Sequence, residues 1–228
     1  MDPVLNDFQP YLLGFAYTLL LFVFAGVLST LLGVVLVAMR VGPVAVLRAA
    51  GATYVTVVRN TPLVIIFGFF TFVAPIFGVK FGWLDIRIGD VVLDDLFGAA
   101  VVALSLYTSA FVCEALRSGV NAVPLGQAEA ARAIGLPFGG VLREVVLPQA
   151  IRASVPPLAS VQIALIKNTS VAAVFGVAEA VAQMRSFTNN FSSERTGIFI
   201  MFAIGYVVIV EVFSFGATRL ERRYRVAT

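Results

Sequence analysis

Ionisable side chains are scarce in this sequence, and those standing in apolar runs are the first candidates for chemistry. Lys167 is followed by Asn168, Thr169 and Ser170. A cation beside an amide and two hydroxyls can meet a carboxylate through charge-assisted hydrogen bonds. Glu114 and Glu211 stand at the end of, or inside, other apolar runs. A second cluster, Glu129, Ala130, Ala131 and Arg132, lies on the least apolar stretch, followed by Gly135 and, further on, Pro148. Covalent catalysis has little to work with. The sequence has no histidine, and Cys113 is its single cysteine. The commonest general base, an intrachain disulfide and a Cys/His metal site are therefore absent. There is no Gly-x-x-x-x-Gly-Lys-Ser/Thr phosphate loop either. The expectation is a chain with no catalytic residue and no metal or cofactor of its own.

The elements that carry these residues must sit in lipid. Of 228 residues, 60% are hydrophobic and 13% charged, where a soluble domain carries roughly a quarter of its residues as charges. Five stretches are long and apolar enough to span a bilayer: 12–39, about 61–79, 96–113, 153–178 and 196–218. A span needs about 20 such residues. Each should be helical, because backbone groups in lipid must find partners within the segment. The connections show no barrel-strand alternation. The chain reads as an all-α membrane protein of one domain, 1–228. Asp2 and Asp7 stand where a cleavable signal would carry positive charge, so the first run reads as a retained span. The formal net charge of +3 gives no reason to expect nucleic acid.

Charge placement orients the spans. Arg40, Arg48 and Arg59 follow the first, Arg117, Arg132, Arg143 and Arg152 lie between the third and fourth, and Arg219, Arg222, Arg223 and Arg225 follow the fifth. The other connections hold Asp2, Asp7, Asp85, Asp90, Asp94 and Asp95. The positive-inside rule puts the N-terminus outside and the C-terminus in the cytoplasm.

One connection, 118–151, is too polar to insert and too long to be a simple loop. Gln127 to Ile134 is rich in helix-forming Ala, Glu and Arg. Gly135 stands where a helix ends in a left-handed residue, and Pro137 prevents resumption. Residues 138–146 fit a second short helix, which Leu147-Pro148 closes before the fourth span. Ala130, Ala131 and Ala133 are small enough for another protein to approach closely, and Glu129 and Arg132 offer a polar rim. The helix–turn–helix of 120–147 reads as a rigid lever.

Glu129-Ala130-Ala131, Gly135, Val145 and Leu147-Pro148 at this spacing resemble the signature of ABC importer permeases, with valine where the family usually has isoleucine. Arg59-Asn60-Thr61-Pro62-Leu63, Leu147-Pro148-Gln149-Ala150 with Arg152, and Lys167-Asn168-Thr169-Ser170 are similar to motifs of the polar amino-acid branch, many members of which have aspartate in place of Asn168. Arg40-Val41-x-Pro43, Tyr107-Thr108-Ser109-x-Phe111 and Leu116-Arg117-Ser118-Gly119 look most like glutamate-uptake permeases of high-GC Gram-positive bacteria. The resemblance implies a type I ABC importer fold in a bacterial cytoplasmic membrane. It implies an ABC ATPase dimer that holds ATP and Mg and docks on Glu129, Ala130, Ala131, Arg132, Gly135 and Pro148. A second permease subunit, copy or paralogue, and an extracytoplasmic amino-acid-binding protein complete the assembly, with membrane lipid around it. Glutamate is the implied cargo. Glutamine, aspartate or a basic amino acid are the alternatives within the class, and a stand-alone secondary transporter lies outside it. The latter would call for repeats or matched discontinuous helices, which the sequence lacks.

The membrane residues leave two main readings open, and for Lys167 a third, in which its long side chain snorkels toward the interface. Lys167 lies fifteen positions beyond Arg152, about 22 Å along a helix at ~1.5 Å per residue. A charge at such depth costs roughly 2.5–3.5 kcal/mol and needs a reason. Lys167, Asn168, Thr169 and Ser170 line a substrate pathway, or Lys167 pairs with Glu179, Glu114 or backbone carbonyls. Glu114 has Arg117 at helical spacing as a structural partner. Glu211 reads as an interhelix or partner contact. Pro156-Pro157 should break or kink the fourth span.

Overall fold

The computed structural model describes residues 2–82 and 86–224. Asp85 and Arg225, used above for orientation, lie outside the described residues. In chain order the helices are α1 (Asp2–Asn6), α2 (Gln9–Val41), α3 (Ala45–Asn60), α4 (Leu63–Gly68), α5 (Asp95–Asn121), α6 (Leu125–Ala133), α7 (Phe138–Gly140), α8 (Leu147–Asn168), α9 (Ala180–Asn190) and α10 (Arg195–Tyr224). Four helices among the described residues are long and apolar enough to cross a membrane: Gln9–Val41, Asp95–Asn121, Phe138–Phe175 and Ser192–Arg222. A fifth crossing arises if Ala45–Asn60 and Leu63–Phe77 form one broken span, bent by 102°.

That break corrects the simple second span expected at 61–79. Pro62 stops α3, since the residue before a proline is driven to extended backbone. Thr61 sits at ψ 126. Its hydroxyl does not cap α4 but turns back to donate to the Val57 carbonyl at 2.8 Å. Pro62 itself, not Thr61, stands at the N-cap of α4. Beyond Gly68 the segment widens to a π-turn over Phe69–Val73 and tightens to a 3₁₀ turn over Ala74–Phe77, where Pro75 lacks the amide that would continue the ladder.

One hairpin interrupts the all-helical pattern. β1 (Ile86–Ile88) and β2 (Val91–Leu93) pair antiparallel, with Arg87 opposite Val92. The segment alternates β-branched residues around Gly89-Asp90, a two-residue turn signal masked by its brevity. The Tyr17 hydroxyl fixes the hairpin to α2: it donates to the Val92 carbonyl (3.1 Å) and accepts from the Val92 amide (2.7 Å). Gln9 Nε2 donates to Asp90 Oδ2 at 2.7 Å.

Helix α5 is the core around which α2, α3, α4 and α8 pack. Its N-cap Asp94 accepts from the Phe97 amide at 2.9 Å. Its buried positions are mostly small, including Gly98, Ala99, Ala100, Ala103, Ser105, Ser109, Ala110, Ala115 and Gly119. In lipid, water does not drive helices together, so close backbone approach and dispersion must do so. Gly119 shows the constraint. A Cβ there would collide with Ser154 Oγ and the Ala150 carbonyl of α8, so only glycine lets the two helices cross at this point.

The prolines of α8 do not act as expected. Leu147-Pro148 does not close a short helix. Helix α7 passes through a π-helical turn, Val141–Val146, directly into α8. The wider turn absorbs the donor that Pro148 lacks. Pro156 and Pro157 lie inside α8 without ending it. Membrane helices tolerate prolines because neighbouring groups and small backbone adjustments engage the freed carbonyls, here those of Arg152 and Ala153.

The two ends of the bundle differ in chemistry. At one, Arg40 of α2 pairs with Glu114 of α5, and Arg59 and Arg117 stand 3.4 and 3.8 Å from the same carboxylate. Glu114 thus ties three helices together, and its same-helix partner Arg117 is the most distant of the three. The other end carries the hairpin, Asp90 and α9.

Candidate functional site

The helix–turn–helix projects from the arginine-rich end. Helix α6 starts after Pro124, whose extended backbone (φ −60, ψ 130) aims it away from α5. It ends as the sequence dictates: Gly135 lies at φ 93, the left-handed region that other residues resist. The Gly135 amide donates to the Arg132 carbonyl (2.9 Å) and the Leu136 amide to the Ala131 carbonyl (3.1 Å). These two bonds are a Schellman motif, which fixes the angle of exit. Pro137 then starts α7. Arg132 lies over the Phe138 ring at 6.0 Å, clamping one limb to the other. Gln149 Nε2 donates to Gln127 Oε1 (2.6 Å) and to the Val145 carbonyl (2.9 Å), joining α6 to the base of α8. The unit is held at its turn, across its limbs and at its root.

Its outer surface is apolar where water would be expected. Leu125 is 80% exposed, Ile134 81% and Phe138 64%. Glu129, Ala130, Arg132, Gly135 and Pro148 are exposed around them. Three large apolar side chains exposed together on one rigid projection are the kind of surface that a protein contact covers. Ala131 departs from the expected set. It is buried, on a helix packed against the Val141–Val146 turn, so its small size serves internal packing and cannot meet a docking protein. Leu125, Ile134 and Phe138 were missed in the sequence, where an isolated apolar residue in a loop carries no signal until its exposure is known.

Within the membrane, α5 and α8 enclose a cavity of about 260 Å³. Tyr107, Thr108 and Phe111 line it from α5, and Ser160, Ala164 and Asn168 from α8. The Thr108 hydroxyl is buried and has no hydrogen-bond partner among the described residues. Leaving such a group unpaired costs about 1–3 kcal/mol, and its residue lines the pocket. Of the four residues expected to line a pathway, only Asn168 lines this cavity. Thr169 is fully buried and its hydroxyl donates to the Ile166 carbonyl (2.7 Å), while the Ser170 hydroxyl donates to the Lys167 carbonyl (2.6 Å). Each hydroxyl donates within its own helix. Lys167 is exposed on the flank of α8 next to Asn168 and has no hydrogen bond or ion pair among the described residues. Tyr107, Thr108 and Phe111 share one face of α5 at i, i+1 and i+4, a spacing visible in the sequence but indistinguishable there from packing.

The pairing alternative for Lys167 does not hold. Glu179 is fully buried at the hairpin end. It caps α9 by accepting from the Ala182 amide (3.0 Å), accepts from the Tyr206 hydroxyl (2.8 Å), and lies 3.4 Å from the Thr18 hydroxyl. Glu114 is occupied by its three arginines. Glu211 is exposed, with no partner among the described residues, so it makes no contact between these helices.

Residues 29–226 match the family described as binding-protein-dependent transport system inner membrane component. The chain is 40% identical over 228 residues to the glutamate transport system permease protein GluC of Corynebacterium efficiens, covering 99% of each. It is 37% identical, at the same coverage, to the protein of that name from Corynebacterium glutamicum. Among solved structures, an amino acid ABC transporter crystallised with histidines matches with a TM-score of 0.84 and 27% identity, over 97% of both chains.

Proposed function

From the premise that the chain belongs to the binding-protein-dependent transport system inner membrane component family, we propose that it carries glutamate inward across the cytoplasmic membrane. It is a multi-pass permease subunit of an ABC amino-acid importer. The observation that carries the cargo is the likeness over almost the whole chain to two glutamate transport permeases. A mainly apolar cavity with a few polar groups, Thr108, Ser160 and Asn168, beside a cationic side chain agrees with an anionic cargo. In this reading Lys167 attracts a side-chain or α-carboxylate, Asn168 hydrogen-bonds it, and Thr108 joins once the pocket opens to its hydroxyl.

ATP hydrolysis belongs to a partner. An ABC ATPase dimer holding ATP and Mg docks on the arginine-rich end, with Leu125, Ile134 and Phe138 in its groove and Glu129 and Arg132 at the rim. That end is cytoplasmic, which places the N-terminus outside. Closure of the ATPase dimer moves two such projections, one from this chain and one from a second permease, copy or paralogue. The rigid Gly135 turn passes that motion into α8, because α7 and α8 are one continuous helix. α8 carries Asn168, so loop and cavity move together. A binding protein delivers the amino acid at the hairpin end. ATP then biases two states of the pathway.

The test is ATP hydrolysis by the reconstituted complex, with binding protein and with glutamate, aspartate, glutamine or arginine in turn. Stimulation by glutamate, competed by aspartate, is expected. Stimulation by glutamine or arginine alone overturns the cargo and leaves the coupling route standing.

A further inference from the structure

Helix α8 has a second working face. Val155, Leu158, Ala159 and Gln162 stand roughly 150° around the helix from the cavity-lining set, taking about 100° per residue. This face does not close against α10. It leaves a groove of about 490 Å³ whose far wall is Gly216, Ala217 and Leu220. The groove continues past Gln162 and Phe213 into a second lobe of about 480 Å³ against α2. Each lobe is the size of a small-molecule site, and the lining is almost wholly apolar. Gly216 opens straight into the space: a Cβ added there would meet nothing within 4 Å. The one polar side chain at the junction, Gln162, donates to Thr30 Oγ1 at 3.3 Å and is thereby turned to the protein.

The groove ends among cations. Arg152 lies one turn before Val155 on α8, and Arg219 and Arg222 flank Leu220 on α10. All three are exposed. None forms an ion pair among the described residues. Arg219 lies 4.5 Å over the ring of Phe215, the residue before Gly216, on the shoulder of α10 next to the groove-lining face. Glu221 is the single carboxylate among them. An apolar trough at membrane depth, with guanidinium groups next along both of its helices, complements an anionic phospholipid in shape and charge. Guanidinium groups bind phosphate in bidentate fashion, and basic pockets between spans select anionic headgroups.

We propose that the groove between α8 and α10 binds an anionic phospholipid, its acyl chain along Gly216 and Ala217 and its phosphate on Arg152 and Arg219. The lipid class rests on groove and arginines. Its leaflet, the cytoplasmic one, rests on the orientation given above. Because the site backs onto the helix that carries Asn168, a bound chain would brace α8 from behind.

The test uses the whole complex in nanodiscs of equimolar phosphatidylcholine and phosphatidylglycerol, washed in detergent, with retained lipid counted by mass spectrometry. Retention of phosphatidylglycerol over phosphatidylcholine is expected. Arg152→Gln and Arg219→Gln should each lower that preference by about fivefold. Gly216→Phe, which places a ring in the trough, should abolish retention with the arginines intact. Equal retention of both lipids, or unchanged retention in Gly216→Phe, overturns the proposal. Disulfide crosslinking of Gly216→Cys to a second permease also overturns it, because the face would then be an interface between subunits. No amino acid or nucleotide is present, so an error in the cargo leaves the result unaffected.

Discussion

The helix–turn–helix of α6 and α7 and the cavity between α5 and α8 are built on opposite plans. In the loop every hydrogen bond that fixes the turn is made, and what is left over is apolar surface facing out. In the cavity the packing is apolar, and what is left over is a buried hydroxyl without a partner among the described residues. A lever must be finished before its partner arrives, since slack in it would absorb the motion it transmits. A passing cargo must find groups still unpaired, because those already paired offer it nothing. Defects in the loop should therefore act on coupling, and defects in the cavity on affinity.

The largest effect is expected at Gly135. Any side chain in the left-handed region costs about 1–2 kcal/mol, and bulk adds a clash with the docked subunit. Gly135→Trp should insert at normal levels yet reduce binding-protein-stimulated ATP hydrolysis and uptake by roughly tenfold or more. Gly126, in the first turn of α6, is the internal control. A Cβ there meets nothing, and alanine is favoured in a helix by about 1 kcal/mol, so Gly126→Ala should couple normally. Normal uptake by Gly135→Trp at equal expression would remove the loop from the coupling route.

Next comes Lys167. It holds no other helix, so Lys167→Ala should leave the assembled complex intact on size-exclusion chromatography. Loss of a charge-assisted contact worth about 1.5–3 kcal/mol should raise the KM for glutamate by about tenfold or more, with maximal ATP hydrolysis kept. A fall in assembled complex instead would mean that Lys167 meets the second permease rather than the cargo. Phe138→Ser should act on the other region and more weakly. Truncating one anchor of a docking surface costs upward of about 1 kcal/mol, or about fivefold in affinity for the ATPase, with the KM for glutamate unchanged. A shift in that KM would blur the distinction between the two regions.

These residues were not equally legible in the sequence. Gly135 declared itself because a left-handed helix end admits almost nothing else, and Pro137 beside it confirmed the stop. The spans were legible because lipid leaves a segment no other choice of partners. The prolines were only partly legible: neither the end expected at Leu147-Pro148 nor a break at Pro156-Pro157 occurs, because a missing donor is a local fact but whether the chain stops or widens depends on what packs alongside. The hairpin was too short for its alternation to stand out. Thr169 and Ser170 are the same chemical type as Thr108, and only the structure shows that their hydroxyls donate to the turn before them. Ala131 and Ala130 are likewise identical in sequence and differ by which way the helix faces.

Thr108 gives the smallest effect and the sharpest separation. Thr108→Val keeps the shape of the side chain and removes the hydroxyl. If that hydroxyl were structural, its loss would lower stability. With no partner in the resting protein, its removal relieves a desolvation cost of about 1–3 kcal/mol, so the melting temperature should rise by about 2–4 °C per kcal/mol relieved. The same change takes one hydrogen bond from the cargo, and the KM for glutamate should rise by roughly fivefold, about 1 kcal/mol. The signs are opposed: firmer fold, weaker substrate. A mutation in the loop cannot produce that pair of outcomes, because every polar group that fixes its turn is already engaged. A melting temperature that falls together with affinity would mean that Thr108 has a partner in the assembled importer, and the cavity would then resemble the loop as a finished structure.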